Sequence, residues 1–242
     1  MSEPWFVEAF KAGYLDVYPH RDLASARREA SFLVARGVGG LVLDVCCGYG
    51  RHCRALRELG VRSFGVDLST DLLARALEVY PDLEGRIVCG DARALPVATG
   101  GLDAAVSLFS SFGYFGEEGD RALLLEVGRV LRPGGVFVLD LLNPERVRAE
   151  LIPVSTATRG GLEIEERRFL GDGGRRVVKE VHHKAPDGTT GSWREEVRLY
   201  AAGELEPWLA KAGIGVEAIL GDFDGSAVSA HSPRQILLGR RR

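Results

Sequence analysis

Residues 41–50, L-V-L-D-V-C-C-G-Y-G, constrain this chain more than any other stretch: an apolar run ends in an acid and then turns through closely spaced glycines. Leu41, Val42, Leu43 and Val45 suit a strand buried on both faces, and Gly48 and Gly50 allow a tight turn beside a ligand before the helical stretch 51–59. The helix would start at the ligand, where its free N–H groups favour a polar or anionic group. Similar turns occur in α/β proteins that bind nothing, so the rest of the chain has to decide the function. Cys46 stands at the first position of the turn, and a residue with a Cβ is expected to keep a negative φ there.

The 242 residues suffice for one large core with an inserted subdomain. Hydrophobic content of 45% and charged content of 27% are those of a soluble globular protein. No apolar stretch approaches the roughly 20 residues of a membrane helix. The opening M-S-E-P-W-F-V-E-A-F lacks a basic segment followed by an apolar one, so a cytoplasmic location and no membrane partner are expected. A net charge of −3 gives no general attraction to nucleic acid, and the tail Arg240, Arg241, Arg242 is expected to be solvated. Cys46, Cys47, Cys53 and Cys89 lack paired C-x-x-C spacing, so no metal is expected.

The strand–helix grammar repeats. Residues 63–68 form a second strand, followed by a helix over 69–80 with Ser69 or Thr70 as N-cap. Strands over 86–89 and 102–108 come next, then an amphipathic helix over 121–131 that R-P-G-G ends, and a fifth strand over 136–142. Such order implies a parallel sheet covered by helices on both faces. After Pro144 the pattern changes: strands over 162–170, 175–184 and 192–200, separated by G-D-G-G and P-D-G-T, predict an antiparallel insert. A helix over 205–212 and strands over 216–220 and 235–238 return to the core, the last two as antiparallel neighbours. The expected division is an N-terminal helical lid or brace over 1–37, an α/β core over 38–145, the insert over 146–200, and a return to the core sheet over 201–242.

Ligands bind at the carboxyl ends of strands in open α/β sheets, and there Asp67 follows the glycine turn by about 20 residues, the position of a ribose-binding carboxylate. Asp67 could equally be a helix N-terminal charge, and Asp91 a turn former. Together L-D-V-C-C-G-Y-G, V-D-L-S, G-D-A-R-A-L-P, L-D-A-A-V-S-L-F-S-S-F-G-Y-F and L-R-P-G-G-V-F-V-L-D resemble, in order, the elements of the class I S-adenosylmethionine-dependent methyltransferases. The resemblance implies a Rossmann-like, mostly parallel seven-stranded sheet whose last strand runs antiparallel between two others. It implies S-adenosyl-L-methionine as cofactor, with Asp44, Cys46, Gly48 and Gly50 holding the methionine part and Asp67 the ribose. Asp91 and Ala92 would hold the adenine, Leu68 would pack on its ring, and Leu108 and Phe109 would lie beside the methionine part and the reactive methyl.

Methyl transfer from a sulfonium is an in-line displacement that needs alignment and exclusion of water more than covalent help. A general base need not exist. Candidates near the donor by resemblance are Tyr14, Tyr18, His20 and Arg21 from the N-terminal segment and Ser110, Ser111 and Tyr114 after the fourth strand. His20 leads as a base because an imidazole titrates near neutral pH, with Tyr18 and Tyr114 as further candidates. Adjacent His182 and His183 face opposite ways on their strand, and His231 sits in a polar loop.

In methyltransferases of this shape, a sheet inserted after the fifth strand covers a pocket for small acceptors. Trp193, Arg194, Arg198 and Tyr200 could line it, or Trp193 could be the insert's own core with the arginines solvated. The reading is therefore methyl transfer to N or O of a small molecule. The alternatives are a tRNA or other macromolecule methyltransferase, which needs an open basic cleft, and a noncatalytic S-adenosylmethionine-binding regulator. The residues leave the oligomeric state open.

Overall fold

Val42 and Leu43 are both fully buried although they point to opposite faces of β1 (Leu41–Val45), so this strand lies at the centre of a sheet covered on both sides. Each such side chain contributes about 1.5–3 kcal/mol by leaving water, which is why the apolar run dictates a central strand. The computed structural model describes residues 3–11, 13–18 and 22–242. Before β1 come α1 (Trp5–Ala9), α2 (Tyr14–Val17) and α3 (Leu23–Ala35). After it follow α4 (Arg51–Glu58), β2 (Arg62–Asp67), α5 (Thr70–Val79), β3 (Ile87–Cys89), β4 (Leu102–Ser107), α6 (Gly116–Val130) and β5 (Leu131–Leu142). Then come α7 (Pro144–Glu150) and four strands, β6 (Val154–Arg159), β7 (Leu162–Gly171), β8 (Arg176–Lys184) and β9 (Thr190–Arg198). The chain closes with α8 (Ala202–Lys211), β10 (Ile214–Leu220) and β11 (Arg234–Arg241).

The main sheet has the order β10-β11-β5-β4-β1-β2-β3. The pairs from β5 to β3 are parallel, while β11 runs antiparallel to both β5 and β10, in the arrangement expected of the closing strands. Leu43, Val45, Phe137 and Leu139 pack under α6 and α8, and their strand neighbours Val42, Val136 and Val138 pack under α3 and α4. Two chemically separate layers thus follow from alternation along the same strands. The second sheet, β6-β7-β8-β9, is antiparallel throughout. No helix among the described residues is long and apolar enough to cross a membrane.

Several expectations need correction. Helix α6 begins at Gly116, five residues ahead of the expected start, because Glu117 and Glu118 suit a helix N-terminus even between Gly116 and Gly119. Strand β5 reaches back to Leu131, which pairs with Leu102 before a bulge, and Arg132 on Asp103 closes that turn. Helix α7 was masked by Pro144, yet proline fits the first helical turn, and Asn143 caps it by accepting from Glu145 N. Strand β6 was missed as an edge strand with modest hydrophobicity. The terminal arginines are not a loose tail: Arg240 and Arg241 continue β11, Arg240 Nε pairs with Glu217, and Arg241 Nε donates to the Gly128 carbonyl.

Candidate active site

The carboxyl ends of β1, β2 and β4 converge on a cavity of ≈ 250 Å³ whose lining includes Asp44, Cys46, Gly48, Asp67, Leu68, Leu108 and Phe109. The turn after β1 supplies its floor. Gly48 has φ 56° and donates its N–H to Asp67 Oδ2 at 2.7 Å; Ser69 N donates to Oδ1 at 2.8 Å. An ionised carboxylate has about four acceptor sites, and with the backbone of Leu68 as a third donor Asp67 keeps capacity for a further one. Burial nevertheless pushes the Asp67 carboxyl upward, against those backbone donors. Gly50, φ 77°, is the N-cap of α4; the left-handed backbone favours glycine, and a Cβ there would lie 2.6 Å from Leu83 Cδ1 and force that side chain to shift.

Cys46 corrects the expected backbone: its φ is +60°, although it is not glycine. Phe109 and Ser110 share this conformation, at φ 60° and 61°. Each such residue costs on the order of 1–3 kcal/mol and persists only where its surroundings fix it. At the β4 loop the fixing groups are visible. Asp140 Oδ2 accepts from Phe109 N at 2.7 Å and from Arg234 Nη1 at 2.7 Å, while the Asp140 carbonyl accepts from Ser110 N at 3.2 Å. The guanidinium groups of Arg51 and Arg234 lie 4.8 and 4.9 Å from the Phe109 ring centroid.

Asp44 is almost fully buried, and burial raises its pKa to about 7, with the Arg51 guanidinium opposing the rise. Arg51 and His52 open α4, line the same cavity and both contact Glu29 of α3. Burial and the Arg51 charge hold His52 down at about 4, so it is neutral at pH 7. These two residues escaped the sequence reading, although their place directly after the glycine turn, in the first turn of α4, was signal enough.

The N-terminal segment divides in two. Phe6, Phe10, Tyr14 and Leu15, from α1, α2 and the link between them, wall the cavity, whereas α3 buries Ala26, Ala30 and Leu33 in the core as a scaffold helix. Ser69 joins wall to core: it caps α5 by accepting from Leu72 N and donates its hydroxyl to the Phe10 carbonyl.

A second cavity of ≈ 700 Å³ lies between the core and the insert, and it shares Tyr14, Phe109 and Tyr114 with the first. Ser110 lines the second cavity and Ser111 the first. Tyr18 donates its hydroxyl to Glu195 Oε1 at 2.8 Å, and burial with that carboxylate drives its pKa far above the usual phenol value. It cannot accept a proton at neutral pH. His20 and Arg21 lie outside the described residues.

Asp91 and Ala92 are not part of either lining; the Asp91 carboxylate accepts from Arg93 Nη2 at 2.6 Å and Arg93 N at 2.8 Å. Arg198 and Tyr200 are also outside both cavities. Strand alternation in β9 puts Trp193, Glu195 and Val197 on the inner face, leaving Arg194 and Arg198 on the outer one. Arg198 Nη1 donates to the Arg175 carbonyl, Arg194 pairs with Glu196, and Tyr200 is buried in the core with its hydroxyl on Asp120. Trp193 packs against Tyr14 and Tyr18 and donates Nε1 to Glu195 at 3.0 Å, so it serves as insert core. His183 faces Trp193, His182 is exposed, and His231 lies 3.9 Å from Glu150 at the surface.

Residues 42–135 match the family described as "Methyltransferase domain". The chain is 27% identical over 198 residues to the dTDP-3-amino-3,6-dideoxy-alpha-D-glucopyranose N,N-dimethyltransferase of Streptomyces fradiae, covering 79% of this chain and 76% of the relative. Its fold is similar to that of the CcbJ methyltransferase from Streptomyces caelestis, with TM-score 0.82, 20% identity and coverage of 100% and 99% of the two chains. An S-adenosylmethionine-dependent methyltransferase from Clostridium acetobutylicum superposes with TM-score 0.78 at 18% identity, covering 89% and 91%.

Proposed function

The chain is a class I S-adenosylmethionine-dependent methyltransferase, and from that premise we propose that it methylates an amine nitrogen of a small molecule held in the cavity beneath the insert. The observation that carries this reading is the shared wall: among the described residues the two cavities meet at Tyr14, Phe109 and Tyr114, aromatic side chains that include no carboxylate or imidazole. A neutral amine attacks a sulfonium without prior help and sheds its proton afterwards. A hydroxyl needs a base at the moment of attack. The N,N-dimethylation named for the Streptomyces fradiae relative supports the same choice.

The first cavity fits the cofactor by its donor set. Asp67 offers ribose hydroxyls its spare acceptor capacity, and Asp44 offers the methionine ammonium a buried counter-charge. The left-handed turn at Cys46 and Gly48 lets the backbone approach the methionine part closely, before α4 begins at Gly50. Leu68 packs on the adenine, with Asp91 and Ala92 as its proposed polar contacts at the end of β3. Bound S-adenosylmethionine supplies the electrophilic methyl. Phe109, fixed by Asp140 and Arg234, sets the line along which the acceptor approaches, while Phe6, Phe10 and Tyr14 exclude water.

The test is calorimetric titration with S-adenosylmethionine, S-adenosylhomocysteine and NAD, followed by a methyl-acceptance screen of small amines against hydroxyl compounds. Binding of the first two and not NAD is expected, with methyl transfer to amines. The folded Asp67→Ala variant should bind both about 1–3 kcal/mol more weakly, with some loss of thermal stability because Gly48 N and Ser69 N lose their acceptor. Unchanged affinity would remove the ribose assignment, and transfer to hydroxyl compounds alone would overturn the amine reading.

A further inference from the structure

We propose that the acceptor carries an oxyanion, a phosphate or a carboxylate, which the insert-side cavity binds at the end remote from the methylated nitrogen; this rests on the reading of the chain as a small-molecule methyltransferase. The charge on that lining runs against the rest of the molecule. The chain carries −3 overall, yet the cavity is lined by Arg146, Arg159, Arg168, Lys179 and Arg234. Among the described residues, three carboxylates line it in return: Glu150, Glu166 and Glu195.

The cations are built into the wall. Arg168 and Lys179 stand directly opposite each other in the β7–β8 register, on the inner face of the insert. Their side chains are only 25% and 17% exposed. Like charges in that relation are unfavourable, and apolar residues of similar size would make the more stable sheet face. Each is offset by one carboxylate, Arg168 Nη2 by Glu166 at 2.5 Å and Lys179 Nζ by Glu195 at 2.9 Å. Arg159, on β6 of the same face, pairs with no carboxylate among the described residues: its Nη1 donates to the Val17 carbonyl at 2.8 Å. The planar guanidinium fork keeps donors for a ligand, and its geometry matches an oxyanion.

Position supplies the direction. The aromatic wall shared with the cofactor cavity comes from α2 and the β4 loop, whereas Arg146 and Arg168 come from α7 and β7, and Arg159 on β6 stands between them, bonded to α2 at Val17. An acceptor gripped there by its anion extends its amine toward Phe109.

The test titrates the protein saturated with S-adenosylhomocysteine with inorganic pyrophosphate and, separately, with succinate at fixed ionic strength. Wild type, Arg159→Gln, Arg168→Gln and the conservative Arg159→Lys are compared. Expected is binding of one oxyanion by wild type, weakened about tenfold in each Gln variant, as for loss of a charge-assisted hydrogen bond, and only partly restored in Arg159→Lys, which keeps the charge and loses the fork. Preference for pyrophosphate assigns a phosphorylated acceptor, and preference for succinate a carboxylate. Retained S-adenosylhomocysteine binding in the variants shows that they are folded. If neither anion binds, or both Gln variants bind as wild type does, the oxyanion subsite is wrong while the methyltransferase reading stands. Failure of wild type to bind S-adenosylhomocysteine would overturn that reading and this proposal together.

Discussion

At the scale of single residues, Asp44 shows what a buried carboxylate costs in stability. Its carboxyl is raised to about 7 by burial, so in the empty protein it takes up a proton as the pH falls through 7. The unfolded chain releases that proton near pH 4. Between these values the folded state binds more protons, so this group's contribution makes the empty protein less stable as the pH rises across that window. A cationic ammonium beside Asp44 reverses the balance, because it favours the ionised form. S-adenosylmethionine affinity is therefore expected to be flat above pH 7 and to fall up to tenfold per unit below it, with proton uptake or release visible when calorimetry is repeated in buffers of different ionisation enthalpy. Asp44→Asn should bind more weakly at pH 8, lose that pH dependence, and unfold at a higher temperature. If the variant keeps full affinity, Asp44 does not face the ammonium.

At the scale of elements, what was legible depended on whether a signal was local. Ser69 as N-cap of α5 could be read directly, because a hydroxyl before an amphipathic run has one obvious use. Its second bond, to the Phe10 carbonyl, joins residues 59 apart and had no local trace. The same limit explains Cys46: a left-handed cysteine is tolerated because the surrounding packing fixes it, and local propensity argues for the opposite. Arg198 was misplaced for another reason, since strand alternation alone would have sent it to the outer face had the register of β9 been taken from Trp193. The strand ends that line the first cavity were therefore readable, and so was an insert over a second one, while the contribution of α7 and β6 to that second lining had no local signal. Ser69→Ala tests the double role. It should cost about 1 kcal/mol of stability through the lost cap. It should also speed proteolytic cleavage within α1 and α2 beyond what Thr70→Ala does, and equal cleavage would show that the Phe10 link does not hold the segment down.

At the scale of the whole molecule, the segment before α3 ties the two sheets together. Trp5 packs on Tyr114 and Phe6 on Phe115, with ring centroids 4.8 and 5.0 Å apart, which fastens α1 to the core. Tyr18 and Val17 are bonded to Glu195 and Arg159, which fastens α2 to the insert. The first cavity takes Phe6, Phe10, Tyr14 and Leu15 from this segment, and the second shares Tyr14. Helix α3 does not depend on them, since Asp22 caps it by accepting from Ser25 N at 2.8 Å. A chain beginning at Asp22 should therefore still unfold in one cooperative thermal transition, because the buried layers above and below β1 are intact. It should bind S-adenosylhomocysteine at least tenfold more weakly, a loss of about 1.4 kcal/mol that removal of one apolar wall easily exceeds. Amide exchange in β8 and β9 should quicken once Tyr18 no longer anchors Glu195, whereas exchange in β1 and β4 should not. If affinity survives the truncation, the segment is a brace between sheets and not a wall of the site. If exchange in β9 is unchanged, the insert holds its place by its own packing, and the acceptor cavity is preformed without the N-terminal segment.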